Sequence, residues 1–309
     1  MKKMSQGKIV LMACGSFSPP TYMHLRMFEI AKDYIHSLGM GTVVGGIVSP
    51  VHDAYGKKDL VAAHHRIAML KLALRSSQWI KVSEWETQQG GWTRTRVSMQ
   101  YHQDTINSHL YPVIDNAEPP SWLPDDILNV NSDMCDRESD IDKLHDGERV
   151  TIKLLCGADL LESFATPGLW SDEDLETIVG RHGLIVVTRA GSDPGRFVYE
   201  SDMLHKYRKN VTLVTNYIAN EVSSTVIRRL VRRGESAKYL TDDAVLSYIR
   251  THRLYGSDSL TSVTAARCSW GVARPATDLS GSDCRATVAG QSSDHSGPQR
   301  ARLDNSNHN

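Results

Sequence analysis

The sequence has no excess of either charge, no paired-cysteine pattern and no long apolar run, and each absence removes a class of protein. With 35 Lys and Arg against 36 Asp and Glu, the formal net charge is −1. A chain-wide basic surface for nucleic acid or an anionic membrane is therefore excluded, although a local basic patch is not. The five cysteines (Cys14, Cys135, Cys156, Cys268 and Cys284) are odd in number and scattered, with no C-x-x-C spacing. That argues against a structural zinc site and favours a reduced, intracellular protein. The segment Met1 to Lys8 is polar, and the apolar run after it is too brief for a signal peptide or a membrane span. A soluble chain is expected.

Two nucleotide-binding signatures are also missing. There is no G-x-x-x-x-G-K-[ST] P-loop and no G-x-G-x-x-G fingerprint. Gly39-Met40-Gly41 comes near the latter but precedes a strand instead of following one, so it is discounted.

What is present is an ordinary globular composition, 40% hydrophobic and 23% charged over 309 residues. Strand and helix patterns alternate. Ile9–Cys14, Thr42–Ser49 and Ile80–Val82 read as strands. Leu25–Leu38, Ala62–Leu74 and Trp92–Ile106 read as helices. After a break come strands at Val150–Cys156, Gly183–Thr188 and Val211–Val214, and helices at Asp172–Val179, Ser223–Arg233 and Asp242–His252. This succession predicts an α/β fold, a parallel sheet with helices on both faces. The interval 111–148 carries Pro112, Pro119, Pro120 and Pro124 with many acidic residues, and reads as a mobile insertion. Residues 1–255 are read as one domain and 256–309, rich in Ser, Gly, Asp, Asn and Arg, as a disordered tail.

Chemistry concentrates at two junctions. The first is Gly15-Ser16-Phe17-Ser18-Pro19-Pro20-Thr21-Tyr22-Met23-His24, a turn between a buried strand and a helix. A helix N-terminus offers unpaired N–H groups and partial positive charge to a phosphate, and glycine lets backbone approach it. His24 alone could be a helix cap; with the glycine turn before it, a phosphate ligand is the better reading. The second is Ser223-Ser224-Thr225-Val226-Ile227-Arg228, a hydroxyl-rich helix start with Arg228 one turn beyond Thr225. Hydroxyls with a planar multi-donor cation suit an oligophosphate.

These segments, with Gly46 to Lys58, Trp79-Ile80, Trp85-Glu86, Leu154 to Phe164, Pro167-Gly168-Leu169-Trp170 and Thr188-Arg189-Ala190-Gly191, resemble the nicotinamide/nicotinic acid mononucleotide adenylyltransferase family, in an animal-type, insect-like form. The resemblance runs from about residue 8 to 255 apart from the insertion. It departs at Ser18, where many relatives have Asn; the histidine motif is Thr21-Tyr22-Met23-His24 where bacterial members have H-x-G-H, a replacement that animal relatives share.

The resemblance implies a Rossmann-like nucleotidyltransferase fold and a reaction of ATP with nicotinamide mononucleotide, or the nicotinic acid form, giving NAD or its deamido form and pyrophosphate. It implies ATP contacts from Gly15, Ser16, Phe17, His24, Ser223, Ser224, Thr225 and Arg228. His24, Arg228 and Lys57 would be the catalytic, charge-neutralising set. Trp92, Thr95, Gly157, Asp159, Leu169, Trp170, Arg189 and Asn220 would serve the mononucleotide and the NAD formed. Asp159 is read equally as a ribose ligand and as a helix cap. Magnesium would be held through ATP and water, with no protein cage. Two rivals stand beside this: an NAD-dependent dehydrogenase, disfavoured by the missing fingerprint, and a non-enzymatic client-binding protein, a role that could also coexist with catalysis. A cytoplasmic location is favoured over a nuclear one. Oligomeric state is left open.

Overall fold

The structure is a computed structural model that describes residues 7–110, 118–128, 150–188, 193–218 and 221–257. Six parallel strands form one sheet: β1 (Lys8–Gly15), β2 (Thr42–Pro50), β3 (Ile80–Val82), β4 (Val150–Gly157), β5 (Leu184–Val187) and β6 (Val211–Val214). Their order, β3-β2-β1-β4-β5-β6, starts the chain in the middle of the sheet and winds it outward to both edges. This is the doubly wound, Rossmann-like arrangement that the alternating pattern and the resemblance led us to expect.

The central strand shows why the fold forms. Val10, Leu11 and Met12 are wholly buried, because a parallel sheet has no solvent face. Alternate side chains serve opposite layers. Ile9, Leu11 and Ala13 pack with Met27, Phe28, Ala31 and Ile35 of helix α1 (Tyr22–Ser37) and Leu70 of α2 (Ala63–Ala73). Val10 and Met12 belong to a second cluster with Met99 and Ile106 of α3 (Thr95–Leu110) and Ile127 of α4 (Asp125–Leu128). That cluster also takes in residues of α5 (Ala158–Ser163), α6 (Asp172–Leu175), α7 (Pro194–Glu200) and α8 (Asp202–Lys206). Helices α9 (Ser224–Arg233) and α10 (Asp243–Thr251) build a third cluster on α2, through Ile227, Val231, Val245, Ile249 and Met69.

Several expectations shift in ways that bear on the site. The first helix begins at Tyr22, not Leu25, because Thr21 and His24 form a reciprocal cap at its start. The third begins at Thr95, so Trp92 lies outside it in the preceding loop. Helix α6 continues into a π-helical turn, Glu176–His182, longer than the expected helix to Val179. Short α7 and α8 were not anticipated; α5 is the helix that Asp159 was expected to cap, but its N-cap is Gly157 and Asp159 lies inside its first turn.

Part of the interval expected to be mobile is packed. Trp122, Leu123 and Ile127 are buried against the sheet. Pro124 comes so near Gly45 that a Cβ there would lie 2.2 Å from its Cγ. The rest of that interval, and residues 258–309 of the expected tail, lie outside the described residues. Ser257 itself packs into the domain, donating to the Ile249 carbonyl at 3.3 Å.

Candidate active site

The sheet opens where its winding reverses. β1 and β4 pair from Lys8↔Val150 to Met12↔Leu154. Beyond that, β1 stays paired to β2 as far as Gly15↔Pro50, and β4 to β5 as far as Gly157↔Val187. The strand ends therefore part, which creates the crevice where open α/β sheets bind ligands.

On the β1 side, the turn from Ser16 to Pro20 is held by its carbonyls. Ser16 O accepts from Arg66 Nη1 at 3.3 Å and Ser18 O from Arg228 Nη1 at 2.8 Å. Pro19 O accepts from Ser224 Oγ at 2.7 Å, and Pro20 O from Thr241 Oγ1 at 2.8 Å. Carbonyl oxygens repel an anion, so tying them into the protein suits a phosphate-binding turn. Phe17, at φ 43°, takes the left-handed conformation that lets the chain reverse here. Its buried ring meets the His24 ring edge-on, with centroids 5.2 Å apart.

His24 has a defined tautomer. Its Nδ1 accepts from the Thr21 N–H at 3.0 Å, while its own N–H donates to Thr21 Oγ1 at 3.3 Å. In the neutral ring the proton must then sit on Nε2, which becomes the imidazole's donor. One pair of residues thus caps α1 and orients a hydrogen-bond donor beside the helix's positive end.

The second junction meets the first directly. Ser223 caps α9 by accepting from Val226 N–H at 3.2 Å, whereas Ser224 reaches across to Pro19. Arg228 is almost fully covered, at 11% side-chain exposure. Besides Ser18 O it donates to Thr225 Oγ1 at 3.3 Å, and its buried Nε has no hydrogen-bond partner. That Nε faces Asp59 Oδ2 in an ion pair at 3.9 Å, too long for a hydrogen bond, so the guanidinium holds the turn and is itself held by a carboxylate.

Of the other expected residues, Lys57 is exposed on the loop between β2 and α2. Gly157 ends β4, and a Cβ there would lie 2.5 Å from Asp159 Oδ1, the end of an exposed side chain that would have to swing aside. Asp159 is exposed in the first turn of α5, a helix whose N-cap makes no side-chain bond. Trp92 is 45% exposed and has the exposed Tyr55 beside it, with ring centroids 6.1 Å apart. Thr95 opens α3. Trp170 rests edge-on against Phe164 and donates its indole N–H to Ser163 Oγ at 3.1 Å; Leu169 before it is exposed. Arg189 and Asn220 lie outside the described residues.

A model of the cytidylyltransferase-like family matches residues 12–230. The nicotinamide-nucleotide adenylyltransferase of Drosophila melanogaster is 52% identical over 259 residues, covering 82% of this chain and 62% of that protein. Nicotinamide/nicotinic acid mononucleotide adenylyltransferase 1 of Bos taurus is 43% identical over 266 residues, covering 84% of this chain and 92% of that one. The chain belongs to the mononucleotide adenylyltransferase family. Its type 2 relative in Xenopus tropicalis is 34% identical over 303 residues, covering 82% of this chain and 98% of that protein. The chain thus spans less than two thirds of the fly relative but nearly all of the vertebrate ones.

Within this nucleotidyltransferase, sequence reasoning missed the groups that hold the site from below. Arg66 is completely buried and donates to Val61 O at 2.9 Å, Val51 O at 2.6 Å and Asp53 Oδ1 at 2.7 Å as well as to Ser16 O. Partial burial alone would raise the Asp53 carboxyl, but the bonds from Ala63 N–H and Arg66, with the guanidinium charge, hold it below the usual carboxylate range. Glu86 is also buried. Desolvation pushes it up from 4.5 to about 7, against the lowering effects of Ser49, His52 and Arg66. Arg66 had no signal in the sequence beyond being polar within a helix, and Glu86 stood only within the Trp85-Glu86 segment of the resemblance, with no role attached.

Proposed function

We propose that the crevice joins the adenylyl group of ATP to nicotinamide mononucleotide, releasing pyrophosphate and forming NAD, and that it also accepts the nicotinic acid mononucleotide. One observation carries this reading. The turn after β1 has its carbonyls tied into the protein, and it is met from one side by the Nε2 donor of His24 and from the other by Arg228. The N-termini of α1 and α9 open beside it.

The reaction is an in-line attack of the mononucleotide phosphate oxygen on the ATP α-phosphorus. Such transfers are accelerated mainly by positioning and by charge neutralisation. Gly15, Ser16 and Phe17 form the floor under the phosphates. His24 donates from Nε2 to the triphosphate, and Arg228, beside Thr225, adds its positive charge. Ser223 and Ser224 fix the α9 start and Lys57 adds charge from its exposed loop. Magnesium enters with ATP, held by phosphate oxygens and water, and offsets charge. Among the described residues no group of three or more His, Cys, Asp or Glu side chains is arranged to hold a metal ion.

Trp170 and Trp92 receive the pyridinium ring, where an indole face adds cation–π attraction to apolar contact. Thr95 and Leu169 border it. Gly157 and Asp159 take the ribose; Arg189 and Asn220, outside the described residues, are adenosine contacts by the resemblance alone.

The test is incubation with ATP, magnesium and each mononucleotide, reading dinucleotide and pyrophosphate. Product formation that His24→Ala abolishes is expected; no product above that variant sinks the reading. A cytoplasmic location is likewise our proposal, tested by tagging the full-length and tail-deleted chains. Among the described residues no helix is long and apolar enough to cross a membrane.

A further inference from the structure

We infer that Asp174 is a positioning residue for the pyridine end of the mononucleotide, its single carboxylate tying the loop that carries Trp92 to the loop that carries Trp170. The inference rests on the reading that these two tryptophans receive the ring.

The geometry is specific. Asp174 is 1% exposed. Its Oδ2 accepts from Ser171 N–H at 3.1 Å and from Ser171 Oγ at 2.7 Å, which fixes the residue next to Trp170. The same oxygen accepts from Arg94 Nη1, and Oδ1 accepts from Arg96 Nε at 3.2 Å. Arg94 stands between Trp92 and Thr95 at the entry to α3. Arg96 is held a second time by Glu173 Oε1, at 3.1 Å. The carboxylate therefore bonds to both ring-bearing segments, which are far apart in the chain.

A capping role alone does not account for this. Ser171 and Asp174 already complete a reciprocal cap at the start of α6. That motif needs no arginine, yet two arrive from another segment and share the carboxylate. The hydrogen bonds and the cations together hold the Asp174 carboxyl below the usual range, against the raising effect of burial, so it stays charged at neutral pH. Thr93, beside Trp92, keeps a buried hydroxyl with no partner in the protein. That leaves a polar group for a ligand to satisfy in the segment Asp174 holds. Bonding one ionised group to both walls fixes their separation, and ring stacking depends on that separation.

The experiment is steady-state kinetics on the full chain with three sets of variants. Arg94→Gln/Arg96→Gln removes the bridge and leaves the α6 cap intact, so it remains informative even if Asp174→Asn fails to fold. The double variant is expected to raise the KM for nicotinamide mononucleotide roughly tenfold while the KM for ATP moves less than about twofold. Where it folds, Asp174→Asn should do the same, and combining it with the arginine changes should add nothing further, as for residues acting through one contact. An unchanged mononucleotide KM in the arginine variant, or a parallel rise in both KM values, overturns the proposal. Trp92→Ala and Trp170→Ala form the third set. If they leave the mononucleotide KM unchanged, the ring-site reading has failed. If they raise it and the arginine variant does not, the role of Asp174 alone has failed.

Discussion

The hydroxyl of Ser18 lies 2.9 Å from that of Tyr255, a residue 237 positions further along the chain. The contact joins the phosphate turn after β1 to the last helical turn of the domain. Ser18 is buried, its Oγ also lies 3.3 Å from Asp59 O and 3.4 Å from Val61 N, and its carbonyl is held by Arg228. Serine at this position, where the resemblance leads one to expect asparagine, therefore has a definite role. Its one hydroxyl lets the turn meet a tyrosine instead of filling the space with an amide. Burial pushes the Tyr255 phenol up to about 12, against the smaller lowering effects of Ser18, Arg228 and Arg66, so it stays protonated and can donate.

Tyr255→Phe keeps the ring and removes only this bond. A stability loss of about 1 kcal/mol is expected, the net value of one hydrogen bond, which corresponds to a fall in Tm of roughly 2–4 °C. The KM for ATP should rise more than that for the mononucleotide, because the proposed function puts the triphosphate over the turn that loosens. Equal changes in both KM values would show that Tyr255 supports the domain and not this turn.

Arg66 is the most demanding buried group beneath the site, because one guanidinium satisfies three carbonyls and Asp53. Arg66→Met should leave those carbonyls without their donor and cost about 1–3 kcal/mol, as expected when buried acceptors lose a partner, while the half-exposed Asp53 turns to water. Arg66→Lys should not rescue it, since an ammonium cannot reproduce the planar fork. Urea denaturation of the two variants checks this, and a lysine variant as stable as the parent would refute the fork argument.

Glu86 gives a pH dependence with a defined sign. Its carboxyl is pushed up from 4.5 to about 7 in the folded chain, so the folded state holds a proton that the unfolded state has released. Stability from this group is fully present below pH 4.5 and is lost as pH rises toward and through 7, by about 3 kcal/mol in all. Glu86→Gln should remove that slope, so the variant gains stability relative to the parent as pH increases from 4.5 to 8. Melting curves across that range that remain parallel for the two proteins would contradict the assignment.

The sheet and the turn after β1 were legible in the sequence because both depend on local signals. Ile80–Val82 and Val211–Val214 are short, bounded β-branched runs, and they are strands at those positions. The residue order from Gly15 to Thr21 marks a turn between a strand and a capped helix, and the structure has one there. The supporting network was not legible, because it is made by contacts between distant segments. Arg66 sits in an unremarkable His-His-Arg stretch of α2, and nothing in that stretch foretells burial against a turn 50 residues away. Helix boundaries failed for a related reason. The α1 start depends on a histidine returning a cap bond, a position the familiar pattern gives to Glu or Gln. Trp92 was drawn into α3 by periodicity, although it sits before the helix on a loop that Asp174 holds.

Ser223 and Ser224 are adjacent and chemically identical, yet the structure gives them different work, which makes a strict test of the site. Ser223 Oγ accepts from Val226 N–H and caps α9. Ser224 Oγ donates to Pro19 O and ties α9 to the phosphate turn. Ser223→Ala should therefore cost about 1 kcal/mol of stability, the usual value of an N-cap. Ser224→Ala should cost less than its neighbour in helix stability, because it sits in the first turn and alanine is a good helix former. It should raise the KM for ATP several-fold, since Pro19 O loses its donor and turns toward the phosphates. Thermal melts and ATP kinetics on the two variants separate these effects. The same profile for both serines would show that they form one generic helix start, and that the link from α9 to the turn does not shape the ATP site.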